Sequence, residues 1–218
     1  MKNIKKLNSR KIGIGPMSSE VIEAVYKYSS INNKELMLIA SKNQIDHNGG
    51  YVNNWNTKEY SNYLKSMQMK YTNAKVKICR DHCGPGFNGK QNINDVYKTI
   101  DSDIENNFDL IHVDFSKAKK NYKQILKLSK EAILYIKKIK PNVEIEIGTD
   151  ENFAQKLSSI NIKEFLDEMD YFLEFMDPEY FVVPTGSLVM EDKQFGFFNH
   201  KFIKSVYQRI KKRPILLK

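Results

Sequence analysis

Lys75-Val-Lys-Ile-Cys-Arg-Asp-His-Cys-Gly-Pro-Gly-Phe87 begins as a β-branched run and ends in Gly84-Pro85-Gly86, the pattern of a strand breaking into a loop. An acid and an imidazole, Asp81 and His82, stand side by side at the break. In a β/α barrel the C-terminal end of a strand is where chemistry is done. The fold therefore turns on whether the other strands end in the same way.

Upstream, Ile12-Gly-Ile-Gly-Pro-Met17 reads as a first strand. Ser18 and Ser19 then offer an N-cap to a helix striped by Val21, Ile22, Val25 and Tyr28. Leu36-Met-Leu-Ile-Ala40 is wholly apolar, as expected of a strand buried on both faces, and it exits into the polar loop Ser41 to Gly50. Asn56 and Glu59 form a capping-box pattern before a helix faced by Tyr60, Tyr63, Leu64, Met67 and Tyr71. Downstream, Asn94 to Ile104 predicts a helix carrying Val96, Ile100 and Ile104. Leu110-Ile-His-Val-Asp-Phe-Ser116 is a fourth strand, followed by a Lys-rich helix with Tyr122, Ile125, Leu126, Ala132, Ile133 and Ile136 as its buried side. Val143 to Glu151 alternates as a strand does, with Glu144 and Glu146 on one face. Asn161 and Glu164 cap a helix burying Phe165, Met169 and Phe172. Tyr180 to Ser187 is a sixth strand, Phe202 to Ile210 a sixth helix, and Pro214 to Lys218 a seventh strand.

Strand starts near 12, 36, 75, 110, 143, 180 and 214 recur at βα-unit spacing with no linker between them, which predicts one α/β domain over 1–218. A doubly wound sheet would gather its ligand groups at one switch point. Here nearly every tip is polar: Asn43-Gln44, Asp81-His82, Asp114, Asp150-Glu151 and Thr185 to Ser187. That distribution predicts a TIM (β/α)8-type barrel, incomplete, with about seven strands and six helices and the last strand or strands lacking.

Composition fits this reading. The chain has 218 residues, 41% apolar and 28% charged, ordinary for a single globular core. No apolar run approaches the ~18 residues of a membrane span, and Ile12 to Met17 is too short and broken for a signal-peptide core. Cys79 and Cys83 make no disulfide framework, so a reducing, cytoplasmic setting and buried inert thiols are expected. The net charge is +9. Five basic residues precede the first acid, Glu20, and eight Lys or Arg follow the last, Asp192. Such ends suit an anionic partner, either a phosphorylated metabolite or nucleic acid; a solvated basic surface is the plainer alternative.

Asp81-His82 is the strongest local signal. An imidazole on a rigid strand tip can ligate zinc, and the adjacent carboxylate can move a proton. Alternatively Asp81 pairs with Arg80 or a Lys and His82 caps the loop. Asn43 and Gln44 could bind sugar hydroxyls or only satisfy their own loop. Glu144 and Glu146 need a cation, Lys or Arg if they face the interior, and bond locally if they face the helices. His112 and Asp114 are read in opposite phase, so Asp114, nearer the tip, is preferred. His200 is expected at the surface, and Trp55 with the tyrosines in the barrel–helix layer. No P-loop, dinucleotide fingerprint, serine-hydrolase elbow or zinc-protease motif is present.

Four segments are recognisable together: Ile39-Ala-Ser-Lys-Asn-Gln-Ile-Asp-His-Asn-Gly-Gly-Tyr51, Asp81-His-Cys-Gly-Pro85, Ile111-His-Val-Asp-Phe-Ser116 and Ile147-Gly-Thr-Asp-Glu151. Over residues 12–151 the chain resembles the class II tagatose-bisphosphate aldolase subunits of the non-catalytic (Z-type) branch, which are related to the zinc-dependent ketose-bisphosphate aldolases. The resemblance implies a TIM barrel in carbohydrate metabolism and, for catalytic relatives, reversible aldol cleavage to dihydroxyacetone phosphate and an aldehyde. It implies Asp81 as the proton-transfer residue, His82 as a ligand of Zn2+, and Asp114 and Glu146 near the metal that stabilises the enediolate. Asn43, Gln44, Asp150 and Glu151 become the substrate-binding candidates. The sequence departs from the pattern in two places. Val182-Val-Pro-Thr-Gly-Ser187 holds no histidine, and the late strands bearing a further ligand and the phosphate-binding backbone are expected at or beyond Lys218.

The expected function is thus a ketose-bisphosphate aldolase-type subunit, active itself or supporting a catalytic partner, and acting on a phosphorylated sugar rather than nucleic acid or a membrane. The alternatives are a non-enzymatic assembly protein completed by a partner chain, and a metal-dependent sugar-phosphate isomerase on the same fold. An open barrel exposes strand edges and inner core. The purified chain is therefore expected to be oligomeric, alone or with an aldolase subunit, or marginally stable; sedimentation showing a cooperatively melting monomer would count against this.

Overall fold

The computed structural model describes residues 12–148, 162–183 and 199–211. In chain order the elements are β1 (Ile12–Ile14), α1 (Ser19–Asn32), β2 (Glu35–Ser41), α2 (Thr57–Lys70), β3 (Lys75–Cys83), α3 (Ile93–Glu105), β4 (Leu110–Val113), α4 (Tyr122–Ile139), β5 (Glu144–Ile147), α5 (Ile162–Leu173), β6 (Tyr180–Phe181) and α6 (His200–Lys211). Strand order in the sheet is sequential from β1 to β6. A doubly wound sheet reverses its order at the switch point; a β/α barrel does not. The seventh expected strand, 214–218, and the N-cap expected at Asn161 lie outside the described residues. Among the described residues no helix is long and apolar enough to cross a membrane.

The chain divides into two compact units, Arg10–Ile145 and one that includes residues 146–148, 162–183 and 199–211. In the first, β2 and β3 pair in parallel through seven residues, from Glu35 opposite Lys75 to Ser41 opposite Asp81. Their inner neighbours form one core: Leu36, Leu38 and Ala40 meet Ile22, Val25 and Tyr26 of α1 and Tyr60, Leu64 and Met67 of α2. Each such large side chain stabilises by roughly 1.5–3 kcal/mol on burial. Trp55 packs on this cluster with its ring 4.8 Å from that of Tyr63. In the second unit Phe165, Met169, Phe202 and Val206 form a smaller core, with Phe165 edge-on to Phe202.

Helix starts follow the capping chemistry. Ser18 Oγ accepts from the Val21 N–H, and Asn56 with Glu59 closes a reciprocal box at 3.0 and 2.9 Å. Asn121 and Gln124 form a second box before α4. The apolar stripes differ in detail from the sequence reading. In α1 the inward face is Ile22, Val25, Tyr26 and Ser29, while Tyr28 is exposed. In α4 it is Ser129, Ala132, Ile133 and Ile136, and Tyr122 is exposed. β1 stops at Ile14, so Met17 is already outside the strand.

One buried group ties the first unit together. Arg80 of β3 is fully buried and forks onto both oxygens of Asp103 of α3 at 2.7 Å. Its remaining nitrogen donates to the carbonyls of Ala40 and Ile45, and its plane lies over Phe108. Burial alone would disfavour its charge, but the Asp103 carboxylate more than offsets this and raises the guanidinium's pKa. Removing one partner of such a pair leaves a buried charge uncompensated. Asp103→Ala is expected to destabilise the fold by ~3–5 kcal/mol, read from chemical denaturation.

Candidate functional site

The site is built where β3 and β4 end. Register between them runs Arg80 opposite Ile111, then Cys83 opposite Val113, so β3 carries one extra residue. Within that bulge His82 takes φ 46°, the left-handed region. Alternation therefore fails at the tip, and Asp81 and His82 both reach the polar side while Cys79 and Cys83 are buried and form no disulfide. Burial pushes the Cys83 thiol up to about 12, as an inert thiol requires.

Gly84 completes the corner. A Cβ there would lie 1.5 Å from the Asp114 carbonyl oxygen, so only glycine lets the two chains pass. The Gly84 N–H donates to the His82 carbonyl at 3.0 Å, and the Asp114 N–H to the Cys83 carbonyl at 3.2 Å.

His82 Nδ1 lies 2.8 Å from Asp114 Oδ2, and Asp114 Oδ1 accepts from the Ser116 N–H at 2.9 Å. Asp114 is almost fully buried, and its two oxygens are thus committed to orienting the ring and its own turn. His82 Nε2 lies 3.7 Å from Asp81 Oδ2. His112 Nδ1 lies 3.2 Å from Asp81 Oδ1 and 3.3 Å from the His82 N–H. One nitrogen cannot donate to the first and accept from the second together, so the ring's tautomer decides which bond is made. Burial works against the charge of His82, yet the Asp114 bond and the Asp81 carboxylate raise its pKa. Burial likewise works against the Asp81 carboxylate, but the His112 bond and both imidazoles leave it below its ordinary value.

His112 is the residue the sequence reading misplaced. Positions two apart on a strand share a face, and the structure puts His112 and Asp114 on the same site, not in opposite phase. The i, i+2 spacing was the signal that could have found it. Of the alternative partners for Asp81, Arg80 turns to Asp103 instead.

The loops around the site are clipped together. Phe87 stacks on His82 at 4.5 Å, and Lys117 Nζ sits 4.5 Å from the Phe87 ring. Gln91 donates to the Lys117 carbonyl and accepts from the Lys119 N–H. After β2, Lys42 is buried against Asp95 at 3.1 Å and Thr99 at 2.9 Å, with Asp46 at 3.7 Å. That network, which sequence reasoning missed, pins the loop to α3. Asn43 is exposed. Gln44 is buried, accepting from the Ser41 N–H and donating to Met17 Sδ. Of the carboxylates on β5, Glu144 pairs with Lys77. Glu146 is half-buried and belongs to the second unit, while Asp150 and Glu151 lie outside the described residues.

Asp81, His82 and His112 each offer a ligand atom, all within 4.8 Å of one another. In a tetrahedral zinc site with ~2.1 Å bonds donors stand roughly 3.4 Å apart, so a small contraction accommodates the ion. Three protein donors with a position left open is also the composition of catalytic zinc sites. The residues present therefore fit the zinc that the resemblance implies, with Asp114 behind His82 as the outer partner.

No family model matches the sequence, and no curated protein matches it. Solved structures do match. Fructose-bisphosphate aldolase from Campylobacter jejuni is similar with a TM-score of 0.62 and 13% identity, over 95% of this chain and 61% of that one. A probable tagatose 6-phosphate kinase from Sinorhizobium meliloti 1021 is similar with a TM-score of 0.53 and 15% identity, over 73% of this chain and 42% of that one. The chain thus spans less than two thirds of either neighbour's length. With the sequential strand order, these likenesses define an α/β protein of the TIM-barrel type, incomplete over the described residues and aldolase-like in fold. Within that class the fold carries its polar groups on the ends of successive strands.

Gly84→Ala is expected to force β3 and β4 apart and to destabilise the protein by at least about 1–3 kcal/mol, seen as a lowered melting temperature.

Proposed function

We propose that this chain is a zinc-dependent ketose-bisphosphate aldolase-type subunit, with tagatose bisphosphate as the first substrate to try. The reading rests chiefly on one observation: Asp81 and His82 stand together at the end of β3, with Asp114 of the neighbouring strand tip fixing the imidazole at 2.8 Å. The fold likeness to an aldolase supports it, and the two neighbours described above are named for a phosphorylated ketose or its cleavage. The +9 charge suits a doubly phosphorylated substrate.

In this reading Asp81 takes the proton from the substrate hydroxyl whose carbon becomes the aldehyde, as the adjacent carbon–carbon bond breaks. The same carboxylate returns a proton in the reverse direction. Asp114 holds His82 in one tautomer with Nε2 directed away from it. A bound zinc ion would polarise the ketose carbonyl and stabilise the negative charge left on the dihydroxyacetone phosphate half. Phe87 covers one face of the His82 ring. Asn43 and Gln44 are the substrate contacts proposed from the sequence within the first unit.

The test is retro-aldol cleavage of tagatose and fructose 1,6-bisphosphates, with dihydroxyacetone phosphate as the readout. Activity should fall by ~10²–10⁴-fold in Asp81→Ala. A chain inactive alone that forms a stable complex with an aldolase subunit and raises its turnover would assign the supporting role. Ketose–aldose interconversion without carbon–carbon cleavage would replace the lyase reading with an isomerase.

A further inference from the structure

We propose that the protein's divalent-cation site is complete on β3 and β4 alone: His82 and His112 supply two imidazole nitrogens and Asp81 one carboxylate oxygen, with Asp114 as the outer partner. This set differs from the one the resemblance implies, which draws on Asp114 and Glu146, and it stands whether or not aldol cleavage follows.

The geometry carries it. The three donors lie within 4.8 Å of one another, on adjacent parallel strands whose register is fixed by the bulge at His82. Asp114 is a poor direct ligand because Oδ2 is already on His82 Nδ1 and Oδ1 on the Ser116 N–H. Those same bonds make it a good outer partner, since a metal-bound histidine characteristically gives its second ring nitrogen to a carboxylate. Fixing Nδ1 leaves Nε2 as the ligating atom of His82, on the side of Asp81. His112 lies on the other oxygen of the same carboxylate. Two imidazoles, one carboxylate and an open position suit zinc or another late first-row divalent cation better than calcium or magnesium, which prefer oxygen donors throughout. Binding through one oxygen leaves the second oxygen of Asp81 for the substrate proton. A lone histidine would hold zinc weakly; His112 removes the need for histidines on later strands.

The experiment uses the full chain, stripped of metal with a chelator and titrated with Zn2+ and with Co2+. One equivalent of Zn2+ should bind. The Co2+ form should show two exchangeable, hyperfine-shifted imidazole N–H signals in its proton NMR spectrum, one for each ring. Asp114→Asn should weaken Zn2+ binding by ~10–100-fold and His112→Ala by more than that, while His200→Ala, on an exposed helix start, should bind as the unaltered chain does. Absence of stoichiometric Zn2+, a single imidazole signal, or unchanged affinity in His112→Ala would overturn the proposal. Should His112→Ala fail to fold, the signal count in the unaltered chain still decides. None of these readouts depends on turnover, so a chain that binds zinc through His112 and cleaves no sugar would sink the aldolase reading alone.

Discussion

The buried fork of Arg80 on Asp103 is the interaction on which the first unit depends. A guanidinium with no solvent access must place its hydrogen bonds within the protein, and four acceptors from three segments meet it: Asp103 of α3 twice, Ala40 at the end of β2 and Ile45 in the loop beyond. The acceptors therefore fix where β3 stands relative to β2 and α3. They also decide which way the next residues go. With Arg80 committed to the helix side, Asp81 and His82 begin the turn toward the strand tip, and the loop after β2 is held by the same cation from the other side.

The bulge converts that anchor into a site. A regular strand would send Asp81 and His82 to opposite faces. One extra residue between Arg80 and Cys83, with His82 at positive φ, brings both to one place. A non-glycine residue held in that region costs on the order of 1–3 kcal/mol and persists only where surrounding structure over-determines it. Here the compensation is local and visible: the His82 N–H faces His112, its ring faces Asp114, and its carbonyl accepts from Gly84.

The period of βα units was legible because strands and helices were written in plain alternation, and the capping box at Asn56 is a short-range pattern that needs no tertiary information. The tip pair Asp81-His82 was legible because Gly84-Pro85-Gly86 marks a strand end. Long-range choices were not. Tyr26 rather than Tyr28 faces the core because the helix is rotated by its contacts with β2 and α2, which no local periodicity reports. The Arg80–Asp103 pair spans 23 positions and the Lys42–Asp95 pair 53, separations at which a single sequence carries no pairing signal. His112 was lost for a simpler reason: its i, i+2 relation to Asp114 was assigned the wrong phase. Alternation there would have put both residues on one site.

The charges of the two polar clusters explain why they behave differently. Lys42 brings its own cation to Asp46 and Asp95, and Asp46 is accordingly held below its ordinary pKa against the opposing effect of burial. That cluster carries its compensation inside the chain and serves as an anchor. At the ends of β3 and β4, Asp81 and Asp114 stand instead beside two imidazoles that are neutral unless protonated. Burial opposes charge on the His82 ring, yet the Asp114 bond and the Asp81 carboxylate raise its pKa, so the positive charge this cluster takes up is a proton on that ring. Proton and metal compete for the same ring lone pairs. The two clusters thus differ in the source of their positive charge: a lysine fixed in the chain at one, a titratable imidazole at the other.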